Sequence, residues 1–275
     1  MTREEKMDLI LKKSAYDAGD LVTIVELLRS PGGCPWDMEQ THKSLRRDFI
    51  EETYEVIEAI DNEDPALLRE ELGDALLQIV MHARIEEEAG RATFEEIAGD
   101  VCRKMIHRHP HVFGEGKADS VGEVLANWES IKSEEKSRNT TTDKLNAIPR
   151  QLPALMRAAK VGKKAAEMDF PNTASVLQKM SEELSEVREA LDSGDANAVL
   201  EEIGDLLFTA ANLARKAGVE PEEALTRATD KFVGRFSRVE ALALGAGATL
   251  ADMSDGEKDV LWEQVKKAQK SEKNG

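Results

Sequence analysis

The chain has 275 residues but only two cysteines, Cys34 and Cys102, which stand far apart and form no CxxC pair. That excludes a disulfide framework and a cysteine zinc cluster. Aromatic residues make up 4% of the chain, and β-branched clusters are few, which speaks against a sheet-rich fold. No run approaches the roughly 18 apolar residues of a membrane span. The charged opening MTREEKMDLILKK lacks the apolar core of a signal peptide. Together these absences predict a reducing, cytoplasmic compartment. There is no GxxxxGK[ST] phosphate loop and no Ser or Cys nucleophile motif, which disfavours a Walker-type NTPase and a covalent intermediate. Histidine is missing from the second half: His42, His82, His107, His109 and His111 are all in the first.

Acid and helix-forming residues are abundant. Formal net charge is −17, and 33% of residues are charged. Such a field repels phosphate backbones and anionic lipid, so duplex nucleic acid and membrane surfaces are poor partners. Polyvalent cations are compatible with it, and a triphosphate could bind through metal and a few local cations. The frequency of Ala, Leu, Glu and Lys predicts an all-α protein.

The chain repeats itself. A shift of 131 residues lays Glu52, Glu55, Glu71 and Asp74 onto Glu183, Glu186, Glu202 and Asp205, with gaps of 3, 16 and 3 in both copies. Lys104 and Arg108, four apart, recur as Lys231 and Arg235. Trp128 and Lys132 recur as Trp262 and Lys266. A period this long means a duplicated domain rather than a solenoid. The polar stretch SEEKSRNTTTD, Ser133–Asp143, reads as the linker. Two tandem domains are expected, 1–140 and 141–275, each built on a helical hairpin.

The hairpin brings the acids together. Residues three apart share a helix face, so Glu52 pairs with Glu55 and Glu71 with Asp74. Asp64 and Asp195 are suited to cap the second arms, with Pro65 at the first helical position of the first copy. Counted from the turn at about 1.5 Å per residue, Glu55 and Glu71 both sit roughly 10 Å away. Glu52 and Asp74 lie one layer deeper. Four ionised carboxylates so close repel one another and resist desolvation, and hard divalent cations relieve both penalties. Oxygen-only ligation suits Mg²⁺, with Mn²⁺ as a substitute, better than zinc. A di-iron bundle needs Glu-x-x-His on two helices; Glu39–His42 is a lone instance outside the hairpin.

The basic pairs admit two readings. Lys231 and Arg235 share a helix face and could clamp phosphate, or could serve as surface ion pairs. Trp262 beside Lys266 could stack on a base, or could pack the C-terminal segment. The same alternatives hold for Lys104, Arg108, Trp128 and Lys132. GGCPWDMEQTHKSL, Gly32–Leu45, and RHPHVFG, Arg108–Gly114, read as pocket-lining loops of the first copy.

EExxE followed by ExxD on a helical hairpin resembles the MazG nucleoside triphosphate pyrophosphohydrolases of the all-α NTP pyrophosphatase superfamily. GCPWDxxQTHxSL, RHPHVFG, LPALMRAxKxxxKAA at Leu152–Ala166 and KFxxRFxxVE at Lys231–Glu240 extend the resemblance over essentially the whole chain. It implies hydrolysis of NTPs or dNTPs to the monophosphate and pyrophosphate. It implies Mg²⁺ held by Glu183, Glu186, Glu202 and Asp205, and by Glu52, Glu55, Glu71 and Asp74. It also places Lys231, Arg235, Trp262 and Lys266 against the nucleotide and implies a homodimer or higher oligomer. Glu182 or Glu183 is the candidate to orient water. One departure stands out: the family often reads GFDW after the KAA segment, whereas this chain reads MDFPN at Met168–Asn172, which bears on base preference. The rival expectation is a helical regulatory module whose metal sites, one or both, are catalytically idle.

Overall fold

Two pairs of long antiparallel helices, one pair in each half of the chain, organise the computed structural model, which describes residues 1–135 and 140–272. The first half contains α1 (Arg3–Leu11), α2 (Ala18–Arg29), α3 (Pro35–Glu39), α4 (Arg46–Asp61), α5 (Pro65–Glu88), α6 (Phe94–Arg108), α7 (Pro110–Phe113) and α8 (Val121–Glu135). The second contains α9 (Thr141–Asn146), α10 (Ala154–Lys164), α11 (Thr173–Ser193), α12 (Ala196–Lys216), α13 (Pro221–Gly245) and α14 (Asp255–Glu272). No strand occurs among the described residues. Nor is any described helix long and apolar enough to cross a membrane. The chain divides into two compact units between Lys132 and Ser133.

The hairpins α4–α5 and α11–α12 are built alike. Asp64 caps α5 by accepting from the Ala66 and Leu67 amides, and Asp195 caps α12 by accepting from the Asn197 amide. At equivalent turn positions the backbone enters the left-handed region, at Glu63 (φ 52°) and Gly194 (φ 72°). Glycine adopts that conformation without a Cβ penalty, whereas glutamate does so under strain. Gly218 (φ 75°) then ends α12 as expected of a C-terminal glycine.

The segment read as a linker is helical at both ends. Ser133–Glu135 complete α8, and Thr140 opens α9 through reciprocal bonds with Asp143. A T-x-x-D capping box inside a polar run explains the difference. Residues 136–139 of that segment lie outside the described residues.

In unit 1, α2 packs on α5 around Val25, Leu45, Val80 and Met81. Buried Arg29 pins the following loop. Its guanidinium donates to the Asp37 and Gln40 carbonyls and to the Glu88 carboxylate. His42 turns away from Glu39 to meet His82 Nδ1 and Glu86 Oε1 on α5, each at 2.7 Å. The loop is therefore tied to α5 directly through His42 and indirectly through Arg29 of α2. In unit 2, α10 occupies the corresponding place on α12. Their approach is so close at Gly162 that a Cβ there would stand 2.0 Å from Asn212 Oδ1. Asn212 in turn accepts from Arg215, whose guanidinium grips Asp169 with both arms while Lys216 adds a second cation 2.7 Å away. These cations, Arg215 foremost, hold the Asp169 carboxyl down at about 2.

Two stability predictions arise from these contacts. Gly194→Ala lowers stability in urea denaturation by about 1 kcal/mol, whereas Glu63→Gly leaves it unchanged or raises it by up to about 1 kcal/mol. Asp169→Asn destabilises the full chain at neutral pH by on the order of 1–2 kcal/mol. Because folding depresses this carboxyl, its contribution is present above the ordinary aspartate range and lost as pH falls through about 2. Melting curves of the two proteins should therefore converge at that acidic end.

Candidate functional site

Each hairpin gathers its acids at one level. In unit 1, one carboxylate oxygen each from Glu52, Glu55 and Glu71 lies within 4.8 Å of the others; in unit 2 the same holds for Glu183, Glu186 and Glu202. The i, i+3 spacing on one arm and the matched distance from the turn on the other produce both clusters. Asp74 and Asp205 stand beside them rather than inside the tightest group. Their charges still act there. Burial, then Glu55 and then Asp74, push the Glu52 and Glu71 carboxyls above the usual range. Burial, then Glu186 and then Asp205, do the same to Glu202.

The residues fit a hard cation. Glu183 is 4% exposed, and its Oε2 is buried with no hydrogen-bond partner. An orphaned carboxylate oxygen in such a place costs free energy unless something positive meets it. The donor set is all oxygen, from residues whose mutual repulsion a divalent ion would relieve. Glu183, Glu186, Glu202 and Asp205 could hold such an ion, as could Glu52, Glu55, Glu71 and Asp74.

The sequence reading missed Lys179. Its ammonium is 2.8 Å from Glu183 Oε1, 3.7 Å from Glu182 and 3.9 Å from Glu186. Its signal in the sequence is a Lys four residues before Glu183, on the same helix face.

The basic and aromatic residues settle differently in the two units. In unit 2, Lys231 is exposed, and Arg235 donates to Gln269 on α14 at 2.9 Å. Trp262 lies against Phe232, ring centres 5.3 Å apart, and both line a surface cavity of about 520 Å³ with Phe236, Leu250 and Lys258. Trp262 thus both packs and presents an apolar wall. Lys266 pairs with Glu263 on its own helix at 2.6 Å. Among the described residues, no ion pair or hydrogen bond joins these four to Glu183, Glu186, Glu202 or Asp205.

In unit 1, Arg108 is buried and sits over the Trp128 ring at 5.2 Å, while His109 meets the same ring at 5.0 Å. Lys104 is exposed, and Lys132 pairs with Glu129 at 3.7 Å. The loops read as pocket-lining expose Trp36, Val112 and Phe113. Aligned on its aspartate, the GFDW pattern places Phe170 where the family has tryptophan, and the aspartate itself is the Asp169 gripped by Arg215.

Comparison with known proteins agrees with the duplicated hairpin. The family model for the MazG nucleotide pyrophosphohydrolase domain matches residues 40–113 and 172–239, each span containing one set of four acids. The nucleoside triphosphate pyrophosphohydrolase/pyrophosphatase MazG of Thermotoga maritima is 43% identical over 258 residues, 93% of this chain and 98% of that protein. The nucleoside triphosphate pyrophosphohydrolase of Escherichia coli K12 is 44% identical over 252 residues, 90% of this chain and 96% of its own. That of Mycobacterium tuberculosis is 41% identical over 154 residues, 55% of this chain and 46% of its own. With two matching domains and relatives aligned almost end to end, this chain belongs to the MazG nucleotide pyrophosphohydrolase family.

Proposed function

We propose that the protein hydrolyses nucleoside and deoxynucleoside triphosphates to the monophosphate and pyrophosphate, with Mg²⁺, replaceable by Mn²⁺, and with the broad base tolerance of a pool-cleansing enzyme acting in the cytoplasm. The observation that carries this reading is the pair of acid clusters on the hairpins, together with the unpartnered buried oxygen of Glu183. The names of the full-length relatives support the same chemistry.

When bound, divalent cations acidify water and offset charge on phosphate oxygens. The chain's own residues supply the rest. Glu183, Glu186, Glu202 and Asp205 are the metal-holding set of the second copy. Glu182 is the better placed of the two candidates to orient water, because its side chain is half exposed while that of Glu183 is 5% exposed. Water attacks the α-phosphorus, the bond to the bridging oxygen breaks, and pyrophosphate leaves. Lys231 and Arg235 offset the charge gathering on the departing phosphates. The wall formed by Trp262 and Phe232 suits a base held by its face, which discriminates weakly among bases.

The second copy is assigned the catalytic work. In the first, Trp128 is engaged by Arg108 and His109, so its aromatic face is already in use. This favours a supporting role there, with an idle or structural metal site.

Self-association supports the same picture. Two folded domains of half this mass together expose about 14,000 Å², yet this chain of two units exposes 19078 Å². The excess is apolar in part. Ile50, Ile57, Ile60 and Leu72 on the first hairpin, and Leu184, Leu191, Ile203 and Leu207 on the second, are all at least 41% exposed. These apolar side chains thus lie open in the single chain. A homodimer or higher homo-oligomer pairing the hairpins would cover them.

Incubation with Mg²⁺ and mixed dNTPs should release pyrophosphate, and EDTA should abolish release. No release from folded, metal-loaded protein would defeat the enzyme reading. Glu202→Ala should cut turnover at least about 100-fold, since a metal centre contributes several kcal/mol. Glu71→Ala should cost far less, and equal losses would count against the second-copy assignment.

A further inference from the structure

The two cradles differ in one charge that the repeat itself makes visible. Shifted by 131 residues, Lys179 falls on Asp48. Each stands four residues before the first glutamate of its cluster, one helical turn away on the same face. In the second cradle the Lys179 ammonium rests on Glu183 and reaches toward Glu182 and Glu186. Two of those three acids, Glu183 and Glu186, belong to the group within 4.8 Å. In the first cradle no lysine or arginine ion pair to Glu52, Glu55, Glu71 or Asp74 occurs among the described residues. Position 48 there adds a further acid to the start of α4.

We propose that Lys179 is a resident counter-cation that weakens divalent-metal binding at the second cradle, so that the first cradle fills first and holds its ion more tightly. This rests on reading the acid clusters as metal sites. Four homologous ligands alone predict equal affinity. An ammonium already paired with Glu183 and within 3.9 Å of Glu186 must be displaced when a divalent ion enters, and that displacement opposes binding. Opposite charges at positions 48 and 179 widen the gap. The copy assigned the catalytic work then has the looser hold on metal, so falling metal concentration stops turnover before it strips the first unit.

The test is Mn²⁺ binding to the full chain, followed by calorimetry and by the electron paramagnetic resonance of free Mn²⁺. Glu202→Gln leaves the first cradle intact, and Glu71→Gln leaves the second. The Glu202→Gln chain should bind about tenfold more tightly than the Glu71→Gln chain, a magnitude appropriate to one partly exposed charge beside the ligands. Adding Lys179→Met to Glu71→Gln should close most of that gap. Adding it to Glu202→Gln should change nothing. Lys179→Gln serves as a second neutral substitution, with far-UV circular dichroism as the check on folding. Affinity of the second cradle unchanged within twofold in both neutral variants overturns this proposal alone, as does tighter binding at the second cradle than at the first. No Mn²⁺ bound by any of the chains overturns the metal reading itself and this inference with it.

Discussion

The repulsion among carboxylates held on facing helices is the constraint around which each unit is arranged. Glu52, Glu55 and Glu71 would separate if the hairpin could open, and so would Glu183, Glu186 and Glu202. What holds the arms together is elsewhere. The caps at Asp64 and Asp195 fix where each second arm starts, and therefore which acids stand level. Val80, beyond the acids of α5, packs with Val25 and Leu45 in the core of unit 1, and Val187, next to Glu186, is buried in unit 2. The carboxyls respond to confinement by moving upward in pKa, with burial the leading cause and the neighbouring acids next. A fold that spends stability to confine like charges is storing an affinity for cations, because a bound ion returns the cost.

Much of this was legible in the residues, for a definable reason. Gaps of 3, 16 and 3 combine helix periodicity with a turn at a marked position, and both are local properties that survive without knowledge of packing. The positions of Asp64, Pro65, Asp195 and Gly218 were readable on the same ground. Contacts made between elements were not. His42 has Glu39 three residues away in sequence, yet it bonds to His82 and Glu86, 40 and 44 residues on. Arg235 reaches Gln269 on another helix, and Arg215 reaches Asp169 in the loop before α11. A polar run hides local structure too: Thr140 and Asp143 spell a capping box within the stretch that reads as a linker. The spacing of Lys179 is local and plain, but a cation beside an acidic motif is indistinguishable in sequence from ordinary surface pairing.

Duplication followed by divergence explains why the halves share a skeleton but not their details. The hairpins match residue for residue at the turn, down to a left-handed residue at Glu63 and Gly194. Around them the environment has changed. All five histidines, the Arg29 clamp and the stack of Arg108 on Trp128 belong to the first unit. The Asp169–Arg215 grip and the cavity beside Trp262 belong to the second. In the first unit, then, polar and aromatic side chains are spent on one another. In the second, Lys231 is exposed and Trp262 with Phe232 lines a surface cavity.

The apolar residues of the hairpins complete this logic. A metal cradle needs carboxylates facing one side of the arm pair, which leaves the other sides to bury apolar area. In the single chain that burial is incomplete: Leu72 is 53% exposed and Leu207 52%. At about 25 cal/mol per Å² of apolar surface, covering even a few hundred Å² is worth several kcal/mol, comparable to what is needed to keep like charges confined. The same contact that would pair two copies would therefore brace the arms against the repulsion between them. Assembly and metal binding would be linked through the hairpin, each favouring the closed arrangement that the other requires.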